Sequence, residues 1–479
     1  MTLLDSPVVR SVVRVPPPIP LDDLLAATGG HLSGPGSAIS VTGASVDSRR
    51  VTPGSIYVAL AGERVDGHDY VAEALRAGAA AALVAHPVQL PEGLDAPQIV
   101  VPDPLHALQE LASWWRSRHP VRVVGITGST GKTVAKEIVA DVLSRALVTL
   151  RNEGNLNSET GLPMTLLRLA PEHEAAVLEM SMYTLGEIAR LAEIARPEVG
   201  VVLAVHPTHL ERAGSIERIA QAKAELPVAL PPDGLAVLNA DDARVAAMRD
   251  VTRAEVMTFG LGPTADIRAD RIDSHGLAGT EFTITAPWGT RRVRSGTPGR
   301  HLVPHALAAA AVADRLGVSF DDVAAGLEAG SHAEHRMNVV EGASGATIVD
   351  DTYNASPISV TAALDFLAET PLPAGRRRIA VLGDMLELGP DEERLHREVG
   401  AHAATCADGI VAVGERGRWL ADAAREAGSS RVSWVEDAEA AAEAVESTFA
   451  PGPGDLVLLK ASRGIGLDRA VDRLTGSRP

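Results

Sequence analysis

One segment constrains this chain more than any other: the run VVGITGSTGKTVAKEI at residues 123–138. An apolar strand leads into a glycine-rich turn, and the turn opens a helix. Glycines in such a turn let backbone N–H groups approach phosphate oxygens, and the start of the helix adds positive potential. The lysine is placed to reach terminal phosphates and the following threonine to ligate Mg²⁺. The predicted ATP-binding residues of this loop are Thr127, Gly128, Ser129, Thr130, Gly131, Lys132 and Thr133.

The spacing of this loop departs from the common GxxxxGK[ST] pattern by one residue. That pattern puts its first glycine where Ile126 stands, and Gly125 comes one place too early. The sequence matches the tighter TGxxGKT form instead. The loop by itself predicts binding of ATP or GTP and leaves a kinase, a hydrolase and a ligase open.

The composition narrows the class of protein. A length of 479 residues favours about three domains. The 46% hydrophobic content and the mean hydropathy of +0.08 are typical of a globular enzyme. A formal net charge of −18 argues against non-specific nucleic-acid binding, which needs a basic surface. We therefore expect no nucleic-acid partner.

Cysteine usage and hydropathy favour a cytoplasmic location. The chain has a single cysteine, Cys406, so it can form no intrachain disulfide. One cysteine is also too few for a cysteine-based zinc site. This usage is compatible with a reducing compartment. No apolar run reaches the roughly 18 residues that span a membrane, and we find no signal peptide. We expect no membrane insertion.

Lysine is rare in this chain. Lysine and arginine total 44, and only Lys132, Lys136, Lys223 and Lys460 are lysines. Arginine replaces lysine readily where only positive charge is needed, whereas a compact ammonium or a reactive amine requires lysine. The four lysines are therefore candidates for specific roles. Some of them, Lys136 in particular, could instead have no special role and simply remain in a chain where arginine has replaced most lysines.

The order of predicted elements indicates an α/β fold with three domains. The sequence predicts a flexible leader over residues 1–20 and a small N-terminal α/β domain over 21–104. Alternating strands and helices over 105–330 predict a central parallel-sheet ATPase domain carrying the phosphate loop, with an antiparallel hairpin insertion at 263–298. Residues 331–479 predict a Rossmann-like domain with four strands, in ATIVDD, RRRIAVLGD, GIVAVG and DLVLLKAS.

Three residues outside the loop are candidates for metal binding and catalysis. Glu179 ends an apolar strand, and His209 follows the next one, in HPTHLE. Strand ends of parallel sheets meet at one edge, so both are expected near Thr133. Lys223 lies on the predicted helix IERIAQAKAEL. A lysine with a depressed pKa reacts covalently, and its carbamate with CO₂ would be an anion able to ligate Mg²⁺.

Several segments together resemble the Mur ligase family, most closely its MurF-type branch, which adds D-alanyl-D-alanine. The likeness extends from about residue 21 to 474. It rests on VDSRRVTPGSIYVAL, GITGSTGKT, NEGNLNSETGLPMTLLRL, HLERAGSIERIAQAKAEL, DDTYNASP, GDMLELG and LLKASRG. The pair DDTYNASP and GDMLELG is the part most specific to that branch.

The resemblance implies a reaction and its participants. ATP phosphorylates the terminal carboxylate of UDP-N-acetylmuramoyl-tripeptide, and the amine of D-alanyl-D-alanine attacks the acyl phosphate. The expected cofactors are ATP, two Mg²⁺ ions and a carbamylated Lys223, in a monomer. The implied catalytic residues are Lys132, Glu179, His209 and Lys223, and the implied metal ligands are Thr133, Glu179, His209 and Lys223. The implied ATP contacts outside the loop are His305, Arg336 and Asp351, and the implied substrate contacts are Ser48, Arg49, Asn155, Asn157, Thr160, Ser181, Tyr353 and Asn354.

The chain differs from the family pattern at several positions near these sites. Ala204, Leu302 and His305 stand where asparagine is common, and Tyr183-Thr184 replaces an Asn-His pair. These differences leave open a Mur-type ligase with a shifted substrate. The branch adding the third amino acid is disfavoured because no DNPR-type segment occurs. Folylpolyglutamate synthase is disfavoured by the front domain with its DSR motif, and a non-catalytic nucleotide-binding regulator is the alternative from another class.

Overall fold

The computed structural model describes residues 15–36, 39–62, 65–207, 214–331 and 333–476. Most of the flexible leader predicted over residues 1–20 lies outside the residues that the structure describes. Three sheets follow one another along the chain, each with helices packed on it. The predicted α/β architecture with three domains is confirmed. In the described part of the chain, no helix combines the length and the apolar character needed to cross a membrane.

The first sheet has five strands, parallel except where His31–Ser33 joins its edge. Ile19–Pro20, at the end of the predicted leader, pairs with Ser40–Val41 as a separate two-stranded sheet. In spatial order the five strands are His31–Ser33, Gln98–Val100, Ala81–Val84, Ile56–Val58 and Ala44–Ser45. The helices are Leu21–Thr28, Val71–Arg76 and Pro104–Ser117, with 3-10 turns at Ser48–Arg50 and Gly67–Tyr70.

The central sheet has nine strands, of which seven are parallel and the last two at one edge pair antiparallel. In spatial order they are Gly289–Ser295, Thr280–Ala286, Ile267–Ser274, Glu255–Gly260, Leu235–Asn239, Val199–Val202, Arg122–Thr127, Ala175–Glu179 and Thr149–Arg151. Its helices are Lys132–Leu143, Gly161–Leu166, Glu187–Ala195, Ile216–Ala229, Ala243–Ala246, Val303–Arg315 and Phe320–Ala329, with 3-10 turns at Ala247–Asp250, Gly276–Ala278 and Arg300–Leu302.

The region predicted as an antiparallel hairpin insertion is part of this central sheet. Ile267–Ser274 pairs in parallel with Glu255–Gly260, and the next two strands continue from it in antiparallel order. Phe282 and Ile284 point into the core shared with the helices Lys132–Leu143 and Val303–Arg315. The three strands therefore extend the sheet that carries the phosphate loop, and the prediction of a separate hairpin insertion is wrong.

The third sheet has six strands, two more than the sequence predicts. In spatial order they are Asn338–Glu341, Thr347–Asp351, Leu456–Lys460, Arg378–Gly383, Gly409–Val413 and Val432–Val435. The sequence does not predict the two edge strands Asn338–Glu341 and Val432–Val435. They are partly exposed, so they lack the run of apolar residues that marks a strand buried on both faces. The helices are Pro357–Glu369, Glu392–Cys406, Gly417–Glu426, Ala438–Ala444 and Asp468–Thr475, with short turns at Gly389–Asp391, Val445–Phe449 and Arg463–Ile465.

The first two sheets share a hydrophobic core. The helix Pro104–Ser117 contributes Leu108 and Leu111 to a cluster that also holds Ile56 from the first sheet and Leu178 from the central one. Each fully buried leucine contributes about 2 kcal/mol relative to exposure. This core fixes the first unit against the central sheet on the side away from the helix that follows the phosphate loop.

Candidate functional site

The phosphate loop adopts the strand–turn–helix form that its sequence predicts. The strand Arg122–Thr127 ends in a turn, and the helix Lys132–Leu143 begins with Lys132 itself. Gly131 precedes that helix with φ of 77°, a left-handed conformation that glycine adopts without strain. A Cβ on Gly131 would lie 2.1 Å from the Nε2 of His305. The loop therefore requires glycine here for both its backbone angle and its close neighbour.

Hydrogen bonds from the side chains of the loop hold it to neighbouring strands. The Thr127 hydroxyl donates to the Met180 carbonyl at 2.9 Å, and the Ser129 hydroxyl donates to the His206 carbonyl at 3.0 Å. The Lys132 ammonium donates to the Gly128 carbonyl at 3.0 Å. Burial lowers the pKa of Lys132; the Glu179 carboxylate opposes this shift, and Arg336 adds to it.

Glu179 lies next to the loop, at the carboxyl end of the neighbouring strand. The Thr133 hydroxyl donates to Glu179 Oε2 at 2.8 Å, and the Asn157 amide donates to Glu179 Oε1 at 2.7 Å. The buried Asn152 accepts a hydrogen bond from the Glu179 backbone N–H at 2.9 Å. These bonds fix the carboxylate beside Thr133, so two oxygen donors suited to Mg²⁺ are adjacent.

The other two predicted metal ligands are placed differently. His209 lies outside the described residues, since the description stops at residue 207 and resumes at 214. Lys223 lies on the helix Ile216–Ala229 and is 3% exposed. Burial lowers its pKa well below the ordinary value, and the nearby Lys132 charge adds to this. Burial thus favours the neutral form of this amine, which is the form that reacts with CO₂.

A cleft of about 670 Å³ lies between the central unit and the C-terminal unit. The loop residues Ser129–Thr133 line one end of it. The central unit adds Asn155, Asn157, Ser158, Glu159, Thr160, Glu179, Ser181, Met182, Tyr183, Glu187 and Leu191; the C-terminal unit adds Arg336, Tyr353, Asn354, Ala355, Ser356, Ser359, Leu386, Glu387, Leu388, Lys460, Ser462, Arg463 and Gly464. Most of the predicted ATP and substrate residues are thus brought to one cavity.

Arg336 connects the two walls of the cleft. Its Nη2 donates to the Thr133 hydroxyl at 3.1 Å, and its guanidinium carbon lies 4.3 Å from the centre of the Tyr353 ring. Arg463 lies over the same ring at 5.9 Å. Burial raises the pKa of Tyr353, so the phenol is protonated at neutral pH. The C-terminal unit therefore presents positive charge to the phosphate loop.

Some predicted residues stand beside the cleft or apart from it. Asp351 does not line the cleft but forms a 2.5 Å ion pair with Lys460, which does. His305 touches Gly131, and its Nδ1 is buried without a hydrogen-bond partner among the described residues. Ser48 and Arg49 lie in the first unit: the Ser48 hydroxyl bonds Glu73 at 3.0 Å, and Arg49 pairs with Asp47 at 2.8 Å.

The differences from the family pattern are placed as follows. Ala204 contacts the loop through its backbone, since its carbonyl accepts a hydrogen bond from the Ser129 N–H at 2.8 Å. Leu302 packs into the core of the central unit. Tyr183 lines the cleft and is 45% exposed, and Thr184 donates to Glu187 at 2.8 Å. Among these positions, His305 and Tyr183 thus bring new side chains near the cleft.

Sequence reasoning missed several residues that line the cleft or hold its side chains in place. Asn152 holds Glu179 from a fully buried position, and Lys460 and Arg463 belong to the cleft wall. Signals for two of them existed: Lys460 was among the four rare lysines, and both Lys460 and Arg463 stand in the motif LLKASRG. Leu386, Glu387 and Leu388 stand in or next to GDMLELG, which likewise marked their segment without a residue role.

Known proteins and protein-family models match this chain over nearly its whole length. Three family models match: the Mur ligase family, catalytic domain over 40–116, the Mur ligase middle domain over 126–313, and the Mur ligase, glutamate ligase domain over 335–463. A relative from Escherichia coli (strain K12), named UDP-N-acetylmuramoyl-tripeptide–D-alanyl-D-alanine ligase, is 39% identical over 85% of this chain and 88% of its own length. A protein of the same name from Mycobacterium bovis is 39% identical over 89% and 91%.

Solved structures of proteins of the same kind are also similar to this chain. MurF from Acinetobacter baumannii superposes with a TM-score of 0.84 at 32% identity, covering 97% of this chain and all of its own. MurF from Thermotoga maritima, solved in complex with ADP, superposes with a TM-score of 0.78 at 29% identity, covering 91% and 98%. The matched ranges include all three sheets, and this chain therefore belongs to the Mur ligase family of ATP-dependent ligases.

Proposed function

We propose that the chain joins D-alanyl-D-alanine to the terminal carboxylate of UDP-N-acetylmuramoyl-tripeptide, with ATP as the energy source. The observation that carries this proposal is the identity of 39% to relatives named for that reaction, over 85% or more of each chain. The cleft supports it, because its walls come from two units and meet at the phosphate loop. The single cysteine is compatible with a reducing compartment, so we place the reaction in the cytoplasm, with one chain supplying the whole site.

The loop and its neighbours would hold the triphosphate. Backbone N–H groups at the start of the helix Lys132–Leu143 would bind phosphate oxygens, and the Lys132 ammonium would exchange its Gly128 carbonyl for the terminal phosphates. His305 beside Gly131, Arg336 above Thr133, and Asp351 behind Lys460 would complete the ATP site. In phosphoryl transfer such groups act by positioning and charge neutralisation.

The donor set at the strand ends fits Mg²⁺. Thr133 and Glu179 supply adjacent oxygen atoms, and we propose His209 and a carbamate on Lys223 as further ligands. Mg²⁺ bound there would neutralise phosphate charge. The buried Lys223 amine suits the carbamate because burial favours its neutral form, and only an unprotonated amine adds to CO₂.

Two walls of the cleft would hold the two substrates. Asn155, Asn157, Thr160 and Ser181 on the central wall would bind the peptide whose carboxylate is phosphorylated. Tyr353 and Asn354, on the opposite wall, would bind the incoming amine component. Ser48 and Arg49 would bind the UDP end, which extends away from the cleft. A closed cleft would exclude water from the acyl phosphate, whose hydrolysis would waste ATP.

Substrate-dependent release of phosphate tests this function. We expect release from ATP only when UDP-N-acetylmuramoyl-tripeptide and D-alanyl-D-alanine are both present, and loss of at least 10³-fold in Lys132→Ala because a terminal-phosphate contact is removed. Replacing D-alanyl-D-alanine with single amino acids separates the candidates. Turnover with a single amino acid would indicate a shifted substrate, and binding of ATP without turnover under any combination would indicate a regulator.

A further inference from the structure

A cluster of metal-ligating side chains lies outside the cleft, on the C-terminal unit. Asp365 belongs to the helix Pro357–Glu369, and His402 and Cys406 belong to the helix Glu392–Cys406, which packs against it. The carboxylate oxygen, the ring nitrogen and the sulfur all lie within 4.8 Å of one another. We propose that these three side chains form a binding site for a thiophilic divalent cation, with Zn²⁺ as the probe.

The distances within this cluster suit a tetrahedral ion. Cys406 Sγ lies 3.6 Å from His402 Nε2. A zinc ion with bonds of about 2.3 Å to sulfur and about 2.0 Å to nitrogen keeps these atoms about 3.5 Å apart. Asp365 Oδ1 lies 2.7 Å from the same nitrogen, a hydrogen bond that would open by a few tenths of an ångström when the ion enters.

The placement of the ligands on their helices also favours a cation. His402 and Cys406 are four residues apart and therefore share one helix face. Cys406 is the last residue of the helix, where the partial negative charge of the helix end attracts cations, and His402 lies one turn before it. The thiol is buried, whereas the imidazole is 34% exposed and the carboxylate 53% exposed. An ion thus has an entry path, and water can fill the fourth position.

Binding of the ion at this cluster requires no reactant other than the ion and the solvent that takes up the released proton. Burial raises the pKa of the Cys406 thiol, Asp365 adds to this, and the Thr405 hydroxyl opposes it, so the free thiol is protonated and unreactive. Binding of the ion forms a metal–sulfur bond and releases the thiol proton to solvent. In the free protein the proton between His402 Nε2 and Asp365 Oδ1 makes their hydrogen bond, and the ion would replace it there. That proton would pass through solvent to Nδ1 of the neutral ring, which leaves Nε2 free to ligate. The cysteine count argued against a cysteine-based zinc site, but this site needs one thiol.

The ion would connect two helices that both begin near the cleft. Ser356, which caps the first helix, lines the cleft, as does Leu388 shortly before the second. Linking the far ends of the helices would restrict their relative movement, and with it that of the wall proposed to bind the amine component. This consequence does not depend on which amine the enzyme uses.

A Co²⁺ titration of the full-length protein, in the presence of Mg²⁺, tests the site. Because the chain has one cysteine, a thiolate-to-cobalt charge-transfer band reports only Cys406. We expect one equivalent of this band, its displacement by Zn²⁺, and its loss in Cys406→Ser. His402→Gln and Asp365→Asn should each weaken Zn²⁺ binding by about tenfold or more. Zn²⁺ should raise the thermal midpoint of the wild type more than that of His402→Gln.

The matched control is His275→Gln, which removes an exposed histidine that lies 3.9 Å from Glu281 but has no thiol beside it. Zn²⁺ affinity should be unchanged in this variant. Absence of the charge-transfer band at excess Co²⁺ overturns the proposal. So does a band that needs Cys406 but is unaffected in His402→Gln and Asp365→Asn, since that outcome indicates a thiol binding metal alone.

Discussion

Each of the four lysines has most of its side chain inside the protein. Lys136 donates to the Asn152 carbonyl at 2.6 Å and pairs with Glu137 at 2.7 Å, and Lys460 pairs with Asp351. Lys132 belongs to the phosphate loop, and Lys223 lies on the helix Ile216–Ala229. A buried ammonium costs several kcal/mol unless it is paired. Among the described residues, Lys136 and Lys460 have carboxylate ion-pair partners, whereas Lys132 and Lys223 have none. Burial favours the neutral form of the Lys223 amine, and a neutral amine needs no such partner.

Removing the Lys223 amine is therefore expected to have an effect that small acids reverse. Lys223→Ala should lower kcat by at least 10²-fold because an anionic ligand would be lost. Acetate or another short carboxylic acid should restore part of the rate by occupying the space of the carbamate. Lys136→Ala is the control: it also loses a buried lysine, but acid should not rescue it. Full activity of Lys223→Ala without added acid would contradict the carbamate.

His305 predicts a pH dependence of stability. Burial lowers its pKa to about 4, and the neighbouring His301 adds to this. An imidazole with a depressed pKa charges more readily in the unfolded chain. Its contribution is therefore fully present above about pH 6.5 and is lost as the pH falls towards 4. The loss should be on the order of 1 to 3 kcal/mol for this one group.

Urea unfolding at several pH values measures this loss. His305→Asn carries the residue common in the family and has no titrating group, so its unfolding midpoint should fall less than that of the wild type between pH 6.5 and 4. His301 keeps its own contribution, since its pKa is also lowered to about 4 by burial. Parallel curves for wild type and variant would show that His305 does not titrate in this range.

At the scale of elements, the start of the helix Lys132–Leu143 depends on the helix Val303–Arg315. The backbone at Gly131 is left-handed, and His305 occupies the space where a Cβ would stand. Two separate terms thus oppose any side chain at this position: backbone strain of about 1 to 2 kcal/mol, and a steric clash with an imidazole. The phosphate loop is shaped by a helix that begins some 170 residues later in the chain.

Two alanine variants separate these terms. Gly131→Ala should lower the unfolding midpoint through both strain and clash. Gly131→Ala combined with His305→Ala should remove the clash and keep the strain, so part of the lost stability should return. Gly154→Ala serves as the control, because Gly154 also has a positive φ but no atom within 4 Å of a built Cβ. If Gly131→Ala were no less stable than Gly154→Ala, the contact with His305 would not constrain the loop.

At the scale of the whole molecule, two arginine contacts join the central and C-terminal units with different surroundings. Arg336 reaches Thr133 inside the cleft and stacks on Tyr353. Arg300 lies 3.6 Å from Glu369 on the outside, where both side chains are about half exposed. An exposed ion pair contributes about 0 to 1 kcal/mol, whereas a guanidinium in the cleft can act directly on bound phosphates.

The two contacts should therefore respond differently to mutation. Arg336→Ala should reduce kcat/KM by 10²-fold or more, and Arg336→Lys should recover little of it because a single ammonium cannot both stack and bridge. Arg300→Ala should leave kcat/KM within twofold. Steady-state phosphate release with all substrates measures both. Equal losses in Arg300→Ala and Arg336→Ala would mean that the units are coupled generally and not through Arg336.

The sequence by itself determined the local elements and the order of the three sheets. The strand, loop and helix around Thr127–Thr133 were readable because neighbouring residues alone decide glycine turns and helix starts. Most strands inside the sheets were readable from their apolar runs. The edge strands Asn338–Glu341 and Val432–Val435 were not, since a half-exposed strand lacks that pattern.

Only the tertiary structure decided which distant residues meet. Arg336 and Thr133 are 203 positions apart, and their hydrogen bond exists because the central and C-terminal units meet at the cleft. The same holds for His305 against Gly131 and for Asp365 against His402 and Cys406. Such contacts depend on the packing of whole units, whose free energy is spread over many buried side chains. No local pattern in the sequence encodes them.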